Sequence, residues 1–365
     1  MRLAMAAVVV FGLGVAGSCL AQGRPVRPRE GEAPCLPENV GTWKEYSAPA
    51  SGGGQYGLTL AQSRQLQAKL AEVVGSLHRL PVLNPMQGIR AELFQDFCCP
   101  FVCQRTRSCA RVPAIARIWV LLPYYYANTK TGAAISDPEN RAELEITFNN
   151  PGAIFNGGAL VKLRDGRQVK FAPTPFRRIG PVTLYRNQDG SDLYAFLTRG
   201  SRPLWVPVSQ GEYLEAVVAE RDSTLAESTQ GITDPKMLEA IRKAAGVYVE
   251  PLRAQLRSLS ASERAAQAWV SNPELGVVPP NSPDARPLVT GNPAYVDRTL
   301  PRTNIQFIVV RLEGLDIDQP LPAPAPGRPI DLLSTPLRYC SDVAGARLWE
   351  LAHQLDWGQL QRLLD

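Results

Sequence analysis

Three groups of side chains in this chain could do chemistry: its cysteines, its histidines and one pair of glutamates. Seven cysteines are present, and Cys19 lies in an apolar N-terminal leader. A processed chain would keep six: Cys35, Cys98, Cys99, Cys103, Cys109 and Cys340. An even set in an exported protein reads as a disulfide framework. Neighbouring residues seldom reach disulfide geometry without strain. Cys98 and Cys99 are therefore each expected to tie their loop to something else, with the distant Cys35 and Cys340 as candidates. Zinc wants paired thiolates at two-to-four-residue spacing, usually with histidine. Here only Cys99 and Cys103 fit, and no histidine is near. A redox pair wants Cys-x-x-Cys, which does not occur. Structural disulfides are the expectation, with thiol or metal chemistry at the Cys98–Cys109 loop as the rival.

The only histidines are His78 and His353, so a Ser-His-Asp or Cys-His arrangement would have to use one of them. Neither sits in a G-x-S-x-G or H-E-x-x-H context. His78 falls at the end of a helical stretch, where a cation complements the helix dipole. His353 lies four residues from both Trp349 and Trp357. On a continuous helix these three share a face, either a stacking platform for sugar or peptide or a second packing face.

Glu143 and Glu145 alternate with Leu144, Ile146 and Phe148. They therefore point from the same strand face, with Asn149 beyond. Paired acids at suitable separation could hydrolyse glycosides or hold a divalent cation with other oxygens. The plainer alternative is a solvated strand face. Tyr124 and Tyr126 could line a ligand groove, though aromatic residues also simply favour strands. No phosphate loop or metal-ligand spacing is present, and no cofactor or metal is expected.

The elements that must position these residues follow from periodicity. The centre of the chain is Arg202 to Val218, an apolar strand running into a helix. Its prolines, Pro203 and Pro207, favour an edge position. Ser209 with Glu212 forms a capping box, and Tyr213, Leu214, Val217 and Val218 follow at helical spacing. Most strands are expected before this junction and most helices after it. Upstream, Leu66, Leu70, Val73, Val74 and Leu77 make one helical stripe, which Pro81 ends. Residues 84–110 read as a loop holding the cysteine cluster. Residues 115–126 and 143–149 read as strands. Asp165-Gly166 and Asp189-Gly190 mark two hairpins, over 160–172 and 182–197. Downstream, Asp234 caps a helix that opens on Pro235, and Ser260 with Glu263 caps another ahead of 265–270. Residues 271–292 read as a Pro-rich loop, 305–312 as a late strand and 319–329 as a polyproline-like linker. Residues 347–364 read as a helix that breaks at Asp356.

Arg2, the apolar run Leu3 to Val15 and a small-residue site ending at Ala21 read as a secretory leader. Ala16-Gly17-Ser18-Cys19 alternatively resembles a lipobox, which would place a lipid on Cys19. No later stretch is apolar enough to span a bilayer. Losing Arg2 takes the net charge from +5 to +4. The excess is small, and with the export signal it disfavours a nucleic-acid partner. The organisation expected is a leader at 1–21, an irregular arm at 22–57, an α+β domain at 58–210, a helical region at 211–272, and 273–365 with one strand and a terminal helix packed on the same body. The fold class is α+β, an antiparallel meander sheet covered by an N-terminal helix and a C-terminal helical half. The expected function is non-catalytic binding or scaffolding, with an unidentified envelope or extracellular partner, in the periplasm or outside the cell. The alternative is an exported hydrolase using the acidic pair or His353.

Overall fold

A computed structural model describes residues 35–49, 57–98, 113–155, 159–187, 192–200, 202–273, 275–316, 324, 330–332 and 340–365. The leader, Cys99, Cys103, Cys109, the Asp189-Gly190 turn and nearly all of the polyproline-like run lie outside these residues. The fold is α+β, with antiparallel-dominated sheets.

The larger sheet is built in the order β1 (Trp43–Ser47), β2 (Ala91–Cys98), β3 (Ile115–Ala127), β4 (Ala134–Phe148), β13 (Phe307–Glu313), β9 (Asp192–Thr198), β8 (Val182–Arg186) and β7 (Thr174–Ile179). The late strand therefore enters the middle of the sheet and splits the meander between β4 and β9. It is apolar at Ile308, Val310 and Leu312 on one face, and it pairs antiparallel on both sides. The β1–β2 pair is parallel, and such a pair needs a crossover. In sequence that crossover contains α1 (Leu60–Leu77). Its N-terminus carries a capping box, Thr59 with Gln62.

The inward stripe of α1 (Leu66, Leu70, Val73, Val74 and Leu77) is buried as its spacing predicts. With α5 (Cys340–Gln354) and α6 (Trp357–Arg362) it shares one apolar core with the inward residues of the sheet. The terminal helix breaks where Asp356 accepts the Gln359 N–H, which starts α6.

The smaller sheet has the order β10 (Trp205–Pro207), β12 (Arg286–Gly291), β6 (Gln168–Phe171) and β5 (Val161–Lys162), with β11 (Trp269–Val270) also paired to β12. The proline-bearing strand at the central junction is an edge strand, as its missing donors require. Beyond it run α2 (Gln210–Thr229), α3 (Pro235–Ser258) and α4 (Ala261–Ala265). All three predicted N-caps are made: Ser209 accepts from Glu212, Asp234 from Lys236, and Ser260 from Glu263. Tyr213, Leu214 and Val217 of α2 and Leu252 of α3 pack with Val169, Phe171 and Leu288 as a second core.

Five segments differ from expectation. The arm at 22–57, expected to be irregular, contains β1, which joins the larger sheet beside β2. The supposed loop at 84–110 contains β2. The proposed Pro-rich loop at 271–292 contains β12, the strand through which the smaller sheet is joined. Of the helix expected at 265–270 only Ala265 is helical, because α4 stops there and the chain enters β11. The strand expected at 143–149 begins nine residues earlier, at Ala134, and its last expected residue is not in it. Asn149 adopts φ +57°, leaves the strand and is buried. Its amide donates to the carbonyls of Ala114 and Asn304, and its oxygen accepts the Gln306 N–H. It therefore belongs to a chain crossing, not to the face that carries the glutamates.

Cys35 is bonded to Cys340. These two cysteines therefore tie the N-terminal arm to the start of α5 instead of reaching the cysteine loop. The arm also docks by backbone bonds from Leu36 to Tyr125, from Gly41 to Met86 and from Gly88 back to Asn39. Gly88 has φ +75°, and a Cβ there would lie 2.7 Å from Val343 Cγ1 and 3.0 Å from Pro37. No helix among the described residues is long and apolar enough to cross a membrane.

Candidate functional site

Period-two alternation places the charged residues of β2, β3, β13 and the second half of β4 on the face opposite α1 and α5. Strand pairing then lines them up in rows. One row runs Tyr46, Phe94, Trp119, Glu145, Arg311, Tyr194, Tyr185, crossing seven strands. At normal strand spacing it is about 30 Å long. The next row contains Lys44, Glu92, Leu121, Glu143, Glu313 and Asp192. Glu143 and Glu145 do share this face, as their alternation predicts.

The aromatic end of the first row is a ladder. Tyr46 stacks on Phe94 with centroids 4.7 Å apart, and Phe94 meets Trp119 at 5.6 Å. Tyr46 is 47% exposed; Phe94 and Trp119 are half-buried. Arg117 and Arg141 lie over the Trp119 ring, at 5.1 and 5.9 Å from its centroid. Past Tyr194 the same face is closed by Ile154, Leu204, Tyr295 and Phe307, which form a third apolar cluster.

Between the ladder and that cluster lies a charge lattice. The Trp119 indole N–H donates to Glu143 at 2.8 Å, and Arg141 Nε donates to the other Glu143 oxygen at 2.7 Å. Arg117 holds Asp96 through two nitrogens, at 2.6 and 3.3 Å. Arg311 donates to Asp192 at 2.9 Å and pairs with Glu313 at 2.5 Å. Glu145 stands between Arg117 and Arg311, 3.8 Å from each. With Glu92 and its partner Arg90, six carboxylates and four guanidiniums of the described residues lie together here. Burial raises the Glu145 pKa above the ordinary carboxylate value, against the pull of Arg311 and Arg117. Burial pushes Glu313 further, up to about 7, with Arg311 opposing it and Glu143 and Asp192 adding to it. Near neutral pH this face can therefore hold or release a proton at Glu313.

The other sequence candidates do not join this face. His353 and Trp349 sit together on α5 with ring centroids 4.7 Å apart. Arg177 of β7 lies 5.4 Å from the Trp349 centroid. Trp349 is 2% exposed, and among the described residues neither its Nε1 nor His353 Nε2 has a hydrogen-bond partner. Burial, with help from Arg177, lowers the His353 pKa. Trp357 is on α6, because the helix breaks before it, and its N–H donates to the Ala352 carbonyl. The three residues therefore form no exposed platform. Tyr124 is buried and Tyr126 half-buried, with rings 6.1 Å apart beside the Cys35 arm. His78 caps α1, pairs with Glu45 at 2.8 Å and packs on Trp43. Of the cysteine loop, only the β2 end of Cys98 is among the described residues. No group of three metal-ligating side chains occurs among the described residues.

Sequence reading did not single out Tyr46, Phe94, Trp119, Asp192, Arg311 or Glu313. A signal for the last two existed. In Phe307–Glu313, Arg311 and Glu313 alternate with Val310 and Leu312, so they must share the outward face. What no local pattern shows is that β13 lies beside β4.

The fold and this face define an α+β protein with two sheets and a charged, aromatic-edged sheet surface. No family model matches the chain, and neither a curated protein nor a solved structure is detectably similar to it.

Proposed function

We propose that this chain is an exported, disulfide-stabilised, non-catalytic protein that binds or scaffolds a partner in the cell envelope, using the β1–β4 end of the charged sheet face. The observation that supports it is the cross-strand row from Tyr46 to Arg311. Its aromatic end is open, and its charged groups are fixed by one another. Glu143 is held by Trp119 and Arg141, and Asp96 by Arg117. A lattice held this way presents a rigid surface with little left to order on binding, which favours recognition.

Export and recognition are tested together by placing a photo-crosslinking amino acid at Tyr46 in the natural host and fractionating the cells. The control position is Leu275, also exposed but far in sequence from this face. The expected result is a discrete envelope adduct from position 46 and none from 275. Equal labelling at both positions, or a chain that stays in the cytoplasm, defeats the reading.

A second reading, an exported hydrolase, is favoured by one observation. A carboxyl that keeps its proton near neutrality is what a general acid requires, and Glu313 and Glu145 are both shifted that way. It moves the acidic pair from Glu143 and Glu145 to Glu145 and Glu313. If the protein turns over a glycan or peptide substrate and Glu145→Gln and Glu313→Gln leave that rate unchanged, this assignment fails.

A further inference from the structure

The helix α3 is 24 residues long, yet only Val249 and Leu252 are buried. From Pro235 to Tyr248 no residue is buried. Its C-terminal half is anchored: Arg253 pairs with Asp222 of α2 at 2.6 Å, and Leu252 enters the second core. Its N-terminal half, about 21 Å of helix, lacks that support. Isolated helices of this length are marginal in water and draw their stability from packing.

The uncovered half is nevertheless patterned for packing. Leu238, Ile241 and Ala245 form one half-buried stripe. Met237, Ala240, Ala244, Val247 and Pro251 form a second, at alternating spacings of three and four residues, and all five are exposed. Met237 is 48% exposed, Val247 67% and the adjoining Tyr248 53%. Alternating spacing of three and four is the seam of helix-on-helix packing. A polar outer face does not need it.

The charges flanking this stripe select an occupant. Beyond Val217, α2 carries Glu220 and Glu227, besides Asp222 already paired with Arg253, against a single Arg221. From Pro235 to Tyr248, α3 carries Lys236, Arg242 and Lys243 against a single Glu239. One hairpin thus has an acidic helix and a basic helix. A two-fold interface brings the same patch to itself, so each residue meets its complement twice. In an antiparallel pairing of two hairpins, the acidic helix of each copy lies against the basic helix of the other. A partner of one charge sign would match only half of the surface.

We propose that the exposed stripe of α3 is a homodimer interface, occupied by the α2–α3 hairpin of a second copy in an antiparallel, two-fold four-helix arrangement. The test is sedimentation velocity on the full exported chain, with zero-length carbodiimide crosslinking of a mixture of light and heavy isotope-labelled protein. The wild type is expected to sediment as a dimer that dissociates on dilution. Mixed-isotope crosslinks should join Lys243 or Lys236 of one copy to Glu220 or Glu227 of the other. Val247→Asp changes an exposed residue, so folding should survive while dimerisation weakens by at least about tenfold. Reversing the basic helix (Arg242→Glu with Lys243→Glu) or the acidic one (Glu220→Lys with Glu227→Lys) should each weaken the dimer. Combining the two reversals should restore it, and so should mixing the two singly reversed proteins, an outcome that repair of charge pairing within one hairpin cannot imitate. A monomeric wild type at the highest soluble concentration overturns the proposal. So does a dimer indifferent to these changes, or crosslinks that run only within one molecule.

Discussion

At the scale of single residues, the sheet face crowds acids and guanidiniums together, and burial decides which acid yields. Glu313 is that acid. Its pKa moves from the usual 4.5 to about 7 on folding. Between those values the folded chain holds a proton that the unfolded chain has lost. The stability from this group is therefore complete below about 4.5 and disappears as pH rises through 7. The shift corresponds to at most about 3 kcal/mol. Glu145 and Glu350 are raised too, each by burial, and add a slope of the same sign. The difference between wild type and Glu313→Gln isolates the one group. Urea unfolding across this window should show the wild type losing stability toward alkaline pH more steeply than the variant, with Glu313→Gln the more stable of the two at pH 8. Parallel profiles would mean that Glu313 is solvated and ordinary.

At the scale of elements, the junction from β10 into α2 depends on its capping box. Ser209 Oγ accepts the Glu212 N–H at 3.2 Å, and the Glu212 carboxylate takes the Ser209 N–H at 3.0 Å. The cap starts α2, which gives Tyr213, Leu214 and Val217 to the second core, so Ser209→Ala should lower the unfolding free energy by about 1 kcal/mol. A melt unchanged by this substitution would show that packing alone sets the helix start. This junction was legible because caps, stripes and prolines are local signals; the α1 stripe, the Asp234 N-cap and the Asp356 break were legible for the same reason. β2 was not, because Glu92 and Asp96 interrupt its apolar run. Glu92 is paired by Arg90 two residues before it, but Asp96 is paired by Arg117 of the next strand, which the chain supplies from outside any short window. β12 was hidden by Pro287 and its proline-rich surroundings. The candidate site was half legible. Alternation put Glu143 and Glu145 on one face, but Arg311 and Glu313 reach it through a pairing more than 160 residues apart in sequence. Trp349 and His353 are neighbours as their spacing requires, and of the two readings that spacing left open, platform or packing face, the buried Trp349 matches the packing face.

At the scale of the whole molecule, the Cys35–Cys340 bond closes a span of 305 residues. In the chain-entropy account, a crosslink across so long a loop removes much of the freedom of the unfolded chain, and native disulfides typically contribute 2–5 kcal/mol. The folded state has little to lose when the bond is absent. Its arm is still held by β1 against β2 and by the backbone bonds of Leu36 and Gly41. The effect of removal should therefore fall on the unfolded ensemble. Cys35→Ser with Cys340→Ser should keep the native far-ultraviolet spectrum and lose about 2–5 kcal/mol. Its urea m-value should rise, because an unlinked chain exposes more surface on unfolding. Each single variant removes the same bond, so either alone should cost about as much as the pair, a non-additivity that independent sites would not show. A double variant as stable as the wild type, with the same m-value, would mean that the two thiols are not joined in the folded protein. The arm would then be held by its hydrogen bonds alone.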